Sequence, residues 1–239
     1  MDKVQTWVRG YDEELGGGIP VGSVVLVRGA SGTMKSSLAY SILYQNALRG
    51  RNGLYVTLEQ DALSLLDQMR ELGLKPESVS EALPLLDLSR GREVLESLRA
   101  RAGTTSGTPA TLAGVLREKI AQLRAQTRFE LLAIDSWDAL ELVLEFEDRR
   151  AETFEFFRWL RSTGATSFLV SEDAPVPDPG DFSEEFLADA IFYLKLERVS
   201  DLDFQRRLQC AKMRACAHSS DFFTLVFENG RFEVARAIA

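Results

Sequence analysis

Apolar positions along the chain fall into short runs that alternate between two periods. "SVVLV", residues 23–27, is continuous and β-branched, the pattern of a parallel strand buried on both faces. After a glycine-containing turn, Leu38, Ala39, Ile42, Leu43 and Ala47 recur at helical spacing until Arg49 and Gly50 supply a stop. "GLYVTL" (53–58) reads as a second strand. The helix after it takes Asp61 as N-cap, a stripe of Ala62, Leu65, Leu66 and Met69, and Gly73 as its end. "LPLLDL" (83–88) predicts a third strand, followed by a polar, less regular stretch in which "GTTSGTP" (103–109) reads as a flexible loop. From Thr111, the spacing of Leu112, Leu116, Ile120 and Leu123 predicts a helix leading to "ELLAIDS", a strand whose apolar run ends on Asp135. A helix around Phe154, Phe157 and Leu160 stops at Gly164, ahead of the strand "TSFLVS" (166–171).

This alternation predicts an α/β fold, a mostly parallel sheet covered by helices on both faces. Beyond the Pro-rich "PVPDPGDF" only strands follow: "DAIFYLKL", "RRLQCAKMR", "FFTLVFE" and "RFEVARA". The last two flank Asn229-Gly230 with alternating apolar residues, which predicts a C-terminal antiparallel hairpin. No internal repeat divides the 239 residues, so one domain, 1–239, is expected.

Composition narrows the function classes. A hydrophobic share of 45% suits a real core, and no apolar run reaches the length of a membrane span. The start, "MDKVQTWVRGYDEEL", has no apolar signal core, so a cytoplasmic protein without a membrane partner is expected. Cys210 and Cys216, with a single histidine in the chain, make neither a disulfide framework nor a zinc site and are expected as reduced strand residues. Lys and Arg number 28 against 36 Asp and Glu, a net charge of −8 that opposes a polyanion at long range. Nucleic acid is therefore not an expected partner. The dense basic pairs Arg149/Arg150 and Arg206/Arg207 are expected as solvated faces.

The stretch "RGASGTMKSS" (28–37) sits between the first buried strand and a helix N-terminus, where a phosphate-binding loop belongs. Glycines let backbone N–H groups face the phosphates, a Lys reaches the β and γ oxygens, and a Ser or Thr hydroxyl ligates Mg²⁺. Gly29, Gly32, Lys35 and Ser36 fill those roles, and Ser31, Thr33, Met34 and Ser37 complete the expected lining. Met34 stands where the usual pattern has a glycine. A position needing φ above zero would strain it, whereas ordinary helical angles would let it point away. With Gly29 and Gly32 left for the tight turn, the cradle is expected to survive. Asp135 ends a buried strand beside Ser136, at the edge that lines the ligand crevice of open α/β sheets, and is the expected second group of the Mg²⁺ shell. Glu59 ends the strand after the loop's helix, where a carboxylate can orient or deprotonate water.

With these residues placed, the chain resembles the KaiC-like branch of the RecA-type P-loop ATPases along nearly its whole length. "GYDEELGGGIPVGSVVLVRGASGT" looks like the family's approach to its nucleotide loop, "LYVTLEQD" like its catalytic acidic strand, and "LLAIDSWDAL" like its magnesium-binding strand. "SFLVSED" looks like the next strand, with Ser171 at a sensor-like, nucleotide-side end. The family usually has two adjacent glutamates at the catalytic position; here the second is Gln60, leaving Glu59 alone. "QCAKMRACAH" is similar to the segment whose Lys-x-Arg reaches the γ-phosphate of a neighbouring subunit, which implies that role for Lys212 and Arg214. Two apart on a strand, they share a face, as such a pair must.

The resemblance implies ATP, Mg²⁺ and a self-assembled ring, usually a hexamer, with ATP at each subunit junction and a conformational output to a protein partner of unknown identity. A slowly or non-hydrolysing ATP switch is the alternative that Met34 and Gln60 leave open. A DNA recombination accessory is disfavoured, because "SEDAPVPDPGDFSEEF" carries no Lys or Arg where a recombinase needs cationic loops.

Overall fold

Residues 2–102, 111–173 and 184–236 are described in the computed structural model. The loops expected at 103–109 and 175–182 lie outside them. In chain order the elements are β1 (Lys3–Val4), β2 (Ile19–Pro20), β3 (Val24–Gly29), α1 (Lys35–Ala47), β4 (Gly53–Thr57), α2 (Ala62–Glu71), β5 (Leu85–Asp87), α3 (Gly91–Ala102) and α4 (Leu112–Thr127). There follow β6 (Leu131–Asp135), α5 (Trp137–Leu144), α6 (Arg149–Thr163), β7 (Thr166–Glu172), β8 (Ala190–Arg198), β9 (Phe204–Met213), β10 (Phe222–Glu228) and β11 (Arg231–Arg236).

Nine strands form one sheet in the order β11-β10-β9-β8-β3-β7-β6-β4-β5. From β8 to β5 every pairing is parallel, and β8-β9, β9-β10 and β10-β11 are antiparallel. The β-branched run of β3 is buried twice over. Val25 and Val27 join the core under α1, while Val24 and Leu26 join the core under α4 and α6 on the opposite face. Each such side chain contributes roughly 1.5–3 kcal/mol when fully removed from water. With both faces covered, β3 and its parallel neighbours become a fixed platform whose C-terminal ends carry the loop.

Local signals act where expected. Asp61 accepts from the Ser64 N–H at 3.0 Å, and Thr111 caps α4 by accepting from Gly114 N–H at 3.1 Å. Gly164 ends α6 at φ 71°. Asn229 and Gly230 turn the hairpin with φ of 51° and 74°, the left-handed pair that a two-residue turn needs.

Other elements depart from expectation. Part of the stretch expected to be irregular forms α3, with Leu95 buried on the sheet. The segment after Asp135 turns at once into α5, because Ser136 accepts from Ala139 N–H at 3.2 Å and caps a new helix inside an uninterrupted apolar run. Cys210 is a buried strand residue, but Cys216 lies in the turn after β9 and so is not on a strand. Arg207 is not on a solvated face either: it lies on the face of β9 opposite Leu208 and Cys210 and is buried there between Glu197 (2.7 Å) and Thr224. Among the described residues no helix is long and apolar enough to cross a membrane.

Candidate active site

The loop between β3 and α1 is shaped by steric necessity at one end and by backbone conformation at the other. A Cβ on Gly29 would lie 2.2 Å from the Leu194 carbonyl oxygen of the adjacent strand, so no side chain fits. Gly32 has φ 80° and open space around it: its conformation, not crowding, asks for glycine. Met34, the N-cap of α1, sits at φ 73° and ψ 31°. Of the two conformations open to it, it takes the left-handed one, at a cost of about 1–2 kcal/mol for a residue with a Cβ. Its half-buried side chain packs against the core under α1, a contact that offsets part of that strain, and also borders the cavity.

Lys35 is buried at the first position of α1. Its Nζ donates to the carbonyls of Gly29 (2.8 Å) and Ala30 (3.1 Å) and lies 4.0 Å from a Glu172 carboxylate oxygen. Thr33 braces the same loop by donating to the Ala30 carbonyl at 2.8 Å. The ammonium is thus held inside the loop by backbone carbonyls, beside the positive end of a 13-residue helix with no acidic residue in its first turn.

Opposite the loop stands Asp135, the last residue of β6 and only 8% exposed. Burial raises its pKa, against hydrogen bonds from Tyr55 and Ser36 and the Lys35 charge, which lower it; the nearby Glu59 adds to the rise. The Tyr55 hydroxyl donates to its Oδ2 at 2.6 Å. A buried carboxylate bonded to the hydroxyl next to Lys35 is an oxygen pair suited to a hard cation. Glu59 is exposed just beyond β4, with its Oε1 accepting from the Ser136 hydroxyl.

One cavity of about 410 Å³ gathers these groups. Ser31, Gly32, Met34, Lys35, Ser36, Ser37, Glu59 and Asp135 all border it. Gly29 and Thr33 shape the loop without lining the space. Ser171 does not face it either: alternation along β7 presents Val170 and Glu172 to the cavity, while the buried Ser171 hydroxyl lies 3.3 Å from Asp138 Oδ1.

Lys212 and Arg214 are also absent from this cavity. Gly29 is level with Leu194 and Leu194 with Leu208, so Lys212 lies four residues further along β9, about 13 Å toward the opposite end of the sheet. Its Nζ donates to the Glu185 carbonyl at 2.7 Å. Arg214 donates to the Phe186 carbonyl at 2.9 Å and pairs with Asp189 at 3.1 Å. Burial lowers the pKa of Lys212, and the Arg214 charge adds to the effect. Contrary to expectation Arg214 is not on the strand, since β9 ends at Met213 and Arg214 falls in the turn after it, but both cations reach the Glu185–Phe186 carbonyls.

Sequence reasoning missed Arg206, Gln68 and Leu72, which complete the cavity wall. Arg206 Nε lies 3.5 Å from the Gly32 carbonyl. Nothing local marks it; only the β8-β9 register, which sets Arg206 opposite Leu196, brings it over the loop.

A magnesium nucleotide fits these residues. The loop leaves open space at Gly32, its buried ammonium has carbonyl partners that phosphate oxygens can replace, and the Ser36–Asp135 pair offers oxygen ligands. Fold and site together define a P-loop ATPase domain on a RecA-like sheet. The family model described as "ATPase: KaiC" matches residues 4–237, and the chain belongs to that family. A UPF0273 protein of Aeropyrum pernix is 30% identical over 226 residues, covering 92% of this chain and 88% of that protein. The circadian clock oscillator protein KaiC of Rippkaea orientalis is 28% identical over 95% of this chain, which spans only 43% of that longer protein. The crystal structure of a KaiC-like protein from Pyrococcus horikoshii superposes with a TM-score of 0.78 at 25% identity, covering 98% of this chain and 99% of that one.

Proposed function

We propose that this protein, as a single domain, binds ATP with Mg²⁺ at the β3–α1 loop and hydrolyses it. The observation that carries the reading is the convergence of Lys35, Ser36, Asp135 and Glu59 on one cavity beside a helix N-terminus. Ser36 and Asp135 would hold Mg²⁺, which when bound draws charge from the phosphate oxygens. Lys35 moves from the carbonyls of Gly29 and Ala30 to those oxygens. Glu59, oriented by Ser136, aligns the attacking water and takes its proton.

Distance is what supports assembly in this reading. Lys212, near the end of β9, and Arg214, in the turn after it, are too far from their own cavity to serve it, so their charge would act on phosphate only at a junction between copies. We take the working form to be a ring, a hexamer as the family resemblance implies, that passes a conformational change to a protein partner. Its demand for ATP makes the cytoplasm its expected location.

The test is multiple-turnover ATP hydrolysis with Mg²⁺, alongside nucleotide affinity, for wild type, Lys35→Ala and Glu59→Gln. Lys35→Ala should lose binding, and Glu59→Gln should keep it while turnover falls about 10²-fold or more. Tight binding with no wild-type turnover would instead make the protein a nucleotide-gated switch. The strained Met34 and the lone Glu59 favour that second reading. Absence of nucleotide binding in wild type would refute both.

A further inference from the structure

At the far end of α1 from the phosphate loop lies a second hollow, of about 470 Å³, between the C-terminal ends of α1 and α2 and the β10–β11 turn. In a chain of net charge −8 its walls carry Arg49, Lys75 and Arg231 and no carboxylate. Among the described residues neither Lys75 nor Arg231 has an ion-pair partner. The adjoining hollow around Trp7 shares Arg49 and Arg231 with it and is lined in addition by Arg9, Asp12, Glu13 and Glu233, so Lys75 is the cation that belongs to the first hollow alone.

One wall of the hollow is preorganised, at Arg49. Arg49 Nη1 donates to the carbonyl (2.6 Å) and Oε1 (2.9 Å) of Gln45, and its guanidinium lies 3.7 Å from the centre of the Trp7 ring. Trp7 itself has φ 58°, an unfavourable angle for a bulky residue, pinned by Asp12, which accepts from Thr6 N, Thr6 Oγ1 and Trp7 N. Backbone strain of this kind persists only where the surroundings over-determine it, and it marks functional positions more than others. On the opposite wall the turn is fixed by close approach, since a Cβ on Gly230 would lie 3.2 Å from the Gly73 carbonyl. Two guanidinium groups and an ammonium around one hollow are matched by a ligand with several negative oxygens, and the planar guanidinium fork suits phosphate.

We propose that this hollow is a binding site for a multivalent oxyanion of the phosphate class, separate from the nucleotide loop. The proposal does not rest on ATP hydrolysis.

Calorimetric titration of inorganic pyrophosphate into the full-length Lys35→Ala protein tests it with the loop's phosphate site disabled. About one equivalent per chain should bind, more weakly as salt shortens the screening length. Lys75→Ala combined with Arg231→Ala should weaken binding about tenfold or more, and Arg49→Lys, which keeps the charge but loses the planar fork and its stack on Trp7, should weaken it as well. Absence of binding, or equal binding by the double variant, would overturn the proposal. So would an equal loss from Arg92→Ala with Arg158→Ala, two exposed cations elsewhere, since that would report net charge alone. Wild-type ATP affinity, measured separately, decides the nucleotide reading independently.

Discussion

The two ends of β9 treat their cations in opposite ways. Toward the loop, Arg206 leans on the Gly32 carbonyl and walls the cavity of its own chain. At the other end, Lys212 and Arg214 are occupied by the carbonyls of Glu185 and Phe186 and by Asp189, well away from that cavity. The ten residues of β9 thus separate a charge that overhangs the chain's own loop from a pair remote from it. Residue type does not distinguish them; position along the strand does. The loop end borders the cavity, and the far end does not.

The strongest way to break this comparison is to remove the far charge. Arg214→Ala is expected to slow turnover by about 10²-fold or more while monomer ATP affinity changes less than about twofold. Mixing it with Lys35→Ala should restore activity, because some junctions then pair an intact loop with an intact Arg214. Loss of affinity and fold together, without rescue, would mark Arg214 as a structural residue held by Asp189. Arg206→Ala sharpens the contrast: it should lower ATP affinity about fivefold in the monomer, and no mixing should rescue it.

Smaller effects test the loop end alone. Asp135 has a folded pKa above its unfolded value, so its stabilising contribution is present below the usual carboxylate range and is lost as pH rises through the raised value. Asp135→Asn should therefore raise the Tm of the nucleotide-free protein at pH 7.5 by about 2–4 °C, for about 1 kcal/mol, with the advantage closing toward pH 4. The same variant should lose the effect of Mg²⁺ on ATP affinity, the trade expected where a buried charge is kept for a ligand. An unchanged Tm across that pH range would count against a burial cost. Met34→Gly should do least. Relief of left-handed strain opposes lost apolar contact and a more flexible unfolded chain, so Tm should stay within about 3 °C. A larger rise would show that the contact with the core compensates little.

Much of this could be read from residue order. The β-branched run of β3, the caps Asp61 and Thr111, the stops Gly73 and Gly164 and the Asn229-Gly230 turn are local devices, and each acts within a few residues of its own position. The loop and its two carboxylates were legible because a strand end and a helix start must meet at the same edge of a parallel sheet. Helix α5 was not, since its apolar residues continue those of β6 without a break and only the Ser136 cap divides them. Ser171 and Val170 could not be assigned to the cavity or away from it until the facing of β7 was known.

By itself, then, the sequence determined the kinds of element, their order and the chemistry available at the loop, because periodicity, capping and glycine placement are short-range. Only the tertiary structure decided that Met34 takes a left-handed angle, that Arg206 overhangs the loop while Lys212 and Arg214 do not, and that Arg49, Lys75 and Arg231 share one hollow. Those outcomes depend on strand register and on contacts between residues more than a hundred positions apart, where a shift of one residue turns a side chain to the other face.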